Sequence, residues 1–148
     1  MCLYVKGKEI KTAEEDIVCY KVLKIDRNFL GQECVYTPYT GLQINERFLK
    51  GEADFHAFGP TDIKLENLYY SGYEVSSGFV HTCGNMESAK MLCECLLTFT
   101  CPMVVIYKCI IPKGTEYYAG VWSFSGASSR ASYASKKIRF VEEIKIYK

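Results

Sequence analysis

Val104–Gly120 reads VVIYKCIIPKGTEYYAG. The first eight residues are almost all apolar and rich in β-branching, with Lys108 the only charge. So short a run, closed by Pro112-Lys113-Gly114, predicts a strand buried on both faces rather than a helix. Pro112 has no N–H for the ladder, and Gly114 lets the chain turn at positive φ. Glu116-Tyr117-Tyr118 follows at the strand's exit, well placed to line a site.

Upstream, Asp16–Ile25 (DIVCYKVLKI) alternates. Val18, Tyr20 and Val22 point one way. Ile17, Cys19, Leu23 and Ile25 point the other, with Lys21 among them, and we expect a central strand. Asp26-Arg27-Asn28 signals a turn, and Glu33–Tyr39 reads as a short strand ended at Pro38. Residues 40–68 are broken by Gly41, Gly51, Gly59 and Pro60 and read as loops with short strands. Within them His56 is flanked by Phe55 and Phe58, which favours a histidine half-covered by aromatics over a catalytic one.

Leu68–Thr82 (LYYSGYEVSSGFVHT) looks extended at Tyr73–Ser76 and at Phe79–His81. A helix follows over about 85–99. Asn85 or Gly84 is its N-cap, and Met86, Ala89, Cys93, Leu96 and Leu97 form one apolar face. A strand turning into a helix there can direct main-chain N–H groups at an anion, although an ordinary junction is commoner. Val121–Ser135, with Trp122, Arg130 and Tyr133, reads as a mobile loop or hairpin. Ile138–Tyr147 alternates in two halves that break at Glu142-Glu143, where a bulge would restore the inward set. The order of elements predicts a single α+β domain over 1–148, with a mixed or antiparallel sheet and one main helix.

Composition narrows the function classes. The chain has 148 residues, 49% apolar and 24% charged, as an ordinary globular domain does. Its formal charge is +1 without a basic block, so no binding to duplex nucleic acid is expected. No apolar run approaches the ~18 residues of a membrane span. The start, MCLYVKGKEI, carries charges where a signal peptide has its apolar core, so we expect a cytoplasmic protein. The eight cysteines include no Cys-x-x-Cys pair, and His56 and His81 are remote from Cys93-x-Cys95. They read as buried hydrophobes rather than zinc ligands, and neither metal nor cofactor is expected. A homo-oligomer would cover the edges of a small sheet, but no residue demands one.

Two resemblances add to this. Cys19-Tyr20-Lys21-Val22, Gly78-Phe79-Val80-His81, Ile111-Pro112-Lys113-Gly114 with Tyr117-Tyr118-Ala119-Gly120, and Ser132-Tyr133-Ala134-Ser135 span most of the chain in order. In these the chain resembles a group of small uncharacterised proteins from phages and prophages of gut bacteria. That likeness implies a phage origin, a place in the host cytoplasm and little chemistry.

The second similarity is to the ADP-ribosyltransferase fold, through Val18–Val22, Gly78–Cys83 and Val104–Thr115 in that order. Lys21 stands where that fold has a catalytic arginine. His81-Thr82-Cys83 replaces a Ser-Thr-Ser, and Lys108 stands where the catalytic glutamate falls. A lysine there has the wrong sign to stabilise an oxocarbenium-like ribose. The resemblance therefore implies a retained cleft without the transferase chemistry.

The expected function is a non-catalytic pocket for a nucleotide-like or ADP-ribose-like molecule, one that sequesters a host immune signal. Tyr73, Tyr117, Tyr118 and Trp122 are candidates to stack on a base. Lys108, Lys113 or Arg130 would offset phosphate charge and His81 would donate a hydrogen bond, while Lys21, Thr82, Glu116 and Tyr133 complete the candidate set. One alternative is an interaction module that inhibits a host enzyme through Trp122–Tyr133. Another is a divergent transferase or nucleotide hydrolase using His81 and Glu116.

Overall fold

The structure is a computed structural model and describes residues 3–5, 9–57, 62–65, 73–99, 103–122 and 130–147. Its strands are β1 (Leu3–Val5), β2 (Lys11–Thr12), β3 (Ile17–Arg27), β4 (Glu33–Tyr36), β5 (Phe55–His56), β6 (Asp62–Leu65), β7 (Tyr73–Ser77), β8 (Val80–Cys83), β9 (Val104–Ile111), β10 (Glu116–Val121), β11 (Ala131–Ser135) and β12 (Lys137–Tyr147). Two helices accompany them among the described residues, α1 (Glu46–Leu49) and α2 (Met86–Phe99). One curled sheet runs β5-β12-β9-β3-β8-β11-β10-β1-β7-β6, with β2 beside β10 and β4 beside β3. Its registered pairs among the described residues are antiparallel, so the protein is α+β with an antiparallel sheet.

β9 lies inside the sheet, paired with β12 along one edge and β3 along the other. Val104, Val105, Ile106, Cys109 and Ile111 are each fully buried, as the apolar run requires. Both faces of the sheet are covered. Cys19, Leu23, Ile25, Val80, Val105, Cys109, Ile138 and Phe140 form a core on one face, closed by Phe55 and Ile44. On the other face Val22, Cys83, Val104 and Ile106 meet Ala89, Leu92, Cys93 and Leu96 of α2. Burying a leucine of that kind stabilises by about 1.5–3 kcal/mol, so α2 is held by this stripe more than by helix propensity. Its start is set by Asn85, whose Oδ1 accepts the Ser88 N–H at 2.7 Å.

Of the two readings of Val121–Ser135, loop or hairpin, the hairpin forms: β11 over Ala131–Ser135 pairs antiparallel with β10 and lies inside the sheet between β8 and β10. Residues 123–129 of that stretch lie outside the described residues. The serines of β11 are tolerated because their hydroxyls have partners. Ser132 Oγ donates to Thr82 O at 2.7 Å and Ser135 Oγ to Lys137 O at 3.1 Å. In β12 the register shifts twice, between Phe140 and Glu142 and between Glu143 and Lys145. The broken alternation at Glu142-Glu143 thus corresponds to two irregularities rather than one.

Candidate functional site

β3 is longer than any one neighbour on its β8 edge, and the mismatch opens the sheet. β8 meets β3 at a single registered pair, Tyr20 with Cys83. β4 pairs with β3 from Lys24 onwards. The next β3–β8 rung would join Val22 and His81, but the strands part there. Ile25 N–H donates to Met103 O on the β9 side. Backbone direction alternates along a strand, so the even-numbered Val22 turns its main-chain groups toward the gap.

A cavity of about 530 Å³ fills this fork. Tyr20, Lys21 and Val22 of β3 form one wall, and Gly78–Cys83 another. Thr37–Leu42, Phe55–Ala57 and Leu92 complete it. Each wall has a local cause. Gly78, at φ 78°, turns the chain into β8. The Thr37–Leu42 loop is closed on itself: Thr37 N donates to Leu42 O at 2.8 Å, and Leu42 N to Thr37 Oγ1 at 2.9 Å. Phe55 is anchored edge-on between Phe48, 5.6 Å away, and Phe140, 6.1 Å away. Ala57 N donates to Lys136 O at 2.9 Å, holding the neighbouring His56 at the wall.

The polar centre of the fork is Lys21, only 9% exposed. Its Nζ donates to the His81 main-chain oxygen at 2.7 Å, across the point where the rung is missing. Around it lie the thiols of Cys19, Cys83 and Cys109. Desolvation lowers the Lys21 pKa below the usual lysine value, against a smaller opposing influence from these cysteines. Burial likewise pushes Cys19 up to about 12 and Cys83 up to about 11, and raises Cys109 well above the ordinary thiol range. These cysteines are therefore neutral thiols that supply no anion for the ammonium. Among the described residues no group of three His, Cys, Asp or Glu side chains is arranged to hold a metal.

The cavity's aromatic lining is Tyr20, Tyr39, Phe55 and Phe79, and Lys136 Nζ sits 4.2 Å from the centre of the Phe79 ring. None of the described lining residues is Asp or Glu.

Of the candidate ligand-binding residues named from the sequence, Lys21, His81 and Thr82 line this cavity and the others do not. Lys108 stands in β9, opposite Tyr20 on one edge and Glu142 on the other. Tyr73 pairs with Val5 and Leu65 at the far side of the sheet. Tyr118 is buried edge-on against Phe79 at 5.5 Å, and Tyr117 packs edge-on against Tyr133 at 5.9 Å. Trp122 Nε1 donates to Ser88 Oγ at 3.0 Å, and the Arg130 guanidinium lies 5.1 Å from its ring. Glu116 is exposed at the start of β10.

His81 and Glu116 are not neighbours. His81 pairs with Ala134, which pairs with Tyr118, and Glu116 is two residues beyond Tyr118. Strand spacing then separates them by roughly 12 Å. Sequence reasoning passed over Tyr20, Tyr39, Phe55 and Phe79, and set His56 aside; all five line the cavity. The available signal was the pair of histidine-bearing motifs, Phe55-His56-Ala57 and Phe79-Val80-His81, each with a phenylalanine beside or near the histidine.

Comparison with known protein families, with curated proteins and with solved structures finds no match to this chain.

Proposed function

We propose that this protein is a non-catalytic binding protein that holds a nucleotide-like or ADP-ribose-like small molecule in the cavity at the β3–β8 fork. The observation that carries this reading is the lining itself: four aromatic side chains, one buried lysine and two histidines around about 530 Å³, with no described carboxylate. That volume is in the range of small-molecule sites. Aromatic faces suit a base, each stack contributing about 1–3 kcal/mol. Lys21, His56 and His81 favour an anion over a cation, and a wall without carboxylates does not repel phosphate.

The same lining supports binding without turnover. Cleavage of a glycosidic bond to ribose calls for a carboxylate or comparable group against the developing positive charge. Glu116 is remote from His81, and Lys108 occupies the position where the resemblance to ADP-ribosyltransferases would place the glutamate. Descent from that fold is supported by the placement of its three matching stretches on the adjacent strands β3, β8 and β9. The likeness to phage proteins supports a role in sequestering a host signal.

The test is native mass spectrometry of the protein with NAD, ADP-ribose, cyclic ADP-ribose isomers and cyclic oligonucleotides, followed by analysis of the released ligand. Recovery of one ligand intact at one per chain is the expected result. Recovery of a cleaved ligand, or no adduct with any of the panel, contradicts the reading.

A further inference from the structure

We propose that Lys21 is a carbonyl-capturing amine, which condenses reversibly with the aldehyde of a small sugar-like ligand seated in the fork cavity. The inference rests on the cavity being a ligand site, as proposed above, but not on the ligand being a nucleotide.

Three observations carry it. First, Lys21 is buried inside the sheet yet lines the cavity, and its Nζ donates to the His81 carbonyl oxygen at 2.7 Å. That acceptor fixes the amine's position while leaving its other valences for a reacting carbon. Second, the groups around it are neutral. The facing thiols on β3, β8 and β9 are Cys19, Cys83 and Cys109, all held in the protonated form by burial. No carboxylate lines the cavity among the described residues. An amine without a counter-anion in a desolvated site favours its neutral, nucleophilic form, and the lowered Lys21 pKa agrees. Third, two imidazoles, His56 and His81, share the cavity wall. Imine formation needs a proton donor to expel hydroxide from the carbinolamine, a role within the chemistry of an imidazole.

The step balances without a further reactant. The neutral Nζ attacks the aldehyde carbon, the carbonyl oxygen takes a proton, and the carbinolamine loses one water to give the imine. Hydrolysis reverses it. The open-chain form of a ribose with a free reducing end presents such an aldehyde, so ADP-ribose qualifies and NAD, whose two anomeric carbons are both held in glycosidic bonds, does not.

The experiment treats the full chain with glyceraldehyde and cyanoborohydride at neutral pH and maps the reduced adducts by peptide mass spectrometry. Lys21 is expected to be modified at least tenfold faster than any exposed lysine, and to lose that advantage when the protein is unfolded in urea. Lys21→Arg should remove the fast adduct while circular dichroism remains native. Mapping on the unaltered protein keeps the test valid even where the variant fails to fold. Adducts spread over exposed lysines, with Lys21 modified no faster, overturn the inference. Nucleotide binding without Lys21 modification overturns it too and leaves the pocket reading standing. Fast Lys21 modification without nucleotide binding supports it and removes the nucleotide reading.

Discussion

Lys21 and His81 are joined across the fork by one hydrogen bond, from Lys21 Nζ to the His81 main-chain oxygen at 2.7 Å. It sits where the β3–β8 ladder stops after Tyr20–Cys83. A side chain thus replaces a ladder rung, and the space beyond it becomes the cavity. The replacement comes at a cost, because burial disfavours the charged form of the amine.

That cost predicts a pH-dependent stability. The folded pKa of Lys21 lies below its unfolded value, so between the two the unfolded chain binds more protons at this site. Stability from this site therefore rises with pH up to about 10.4, and the full penalty applies below the folded pKa. The facing thiols Cys19, Cys83 and Cys109 stay protonated through neutral pH and do not reverse the sign. Lys21→Met should raise stability at pH 7 by about 1 kcal/mol or more, the scale on which apolar groups replace buried charge. The gain should shrink as pH approaches that limit. Urea unfolding at pH 7 and pH 9.5 measures it, and a variant less stable at pH 7 would show that the hydrogen bond outweighs desolvation.

The aromatic walls predict a separation of affinity from stability. Tyr20 lines the cavity, whereas Trp122 is tied to Ser88 outside it. Tyr20→Ala should weaken nucleotide binding by about 1–3 kcal/mol, roughly 5- to 150-fold. Trp122→Ala should leave affinity unchanged and lower the melting temperature, because it removes packing against α2 and the bond to Ser88. Calorimetric titration beside thermal unfolding distinguishes the two; a Trp122→Ala protein that folds normally and loses ligand would place the site elsewhere.

At Asn85 the helix start offers a simpler check. Asn85→Ala removes the acceptor for Ser88 N–H and should cost about 1 kcal/mol of stability. Asn85→Ser retains a capping oxygen and should recover most of it, as read by urea midpoints.

Gly120 is required for a close approach between strands. A Cβ there would collide with the main-chain oxygen of Tyr4 in β1. Backbone gives way less readily than a side chain, so Gly120→Ala should separate β1 from β10 and destabilise by more than about 2 kcal/mol. Hydrogen exchange should quicken first in β1 and its partner β7.

Much of this architecture was legible in local pattern. The apolar run Val104–Ile111, the alternation in Asp16–Ile25 and the helical spacing from Met86 to Leu97 each describe one element, and each element forms. Lys21 could be placed on the face shared by Cys19 and Leu23 from alternation alone. β11 was legible only as one arm of a loop or hairpin; its place inside the sheet was not, because Ser132 and Ser135 meet their acceptors, Thr82 O and Lys137 O, only on folding. The cavity was hidden for a related reason. It arises from the unequal reach of β8 and β4 along β3, and its walls come from segments far apart in the chain. Tyr117 and Tyr118 looked like ligand walls by composition, yet they pack against Tyr133 and Phe79.

The most direct test of the fork as a binding site is an amide NMR titration of the labelled protein with ADP-ribose. Val22, Leu42, Ala57 and His81 surround the cavity from four segments of the chain. Their resonances should shift together and saturate at one ligand per chain. Saturable shifts confined to Trp122, Arg130 and the start of β11, with those four unmoved, would contradict the account.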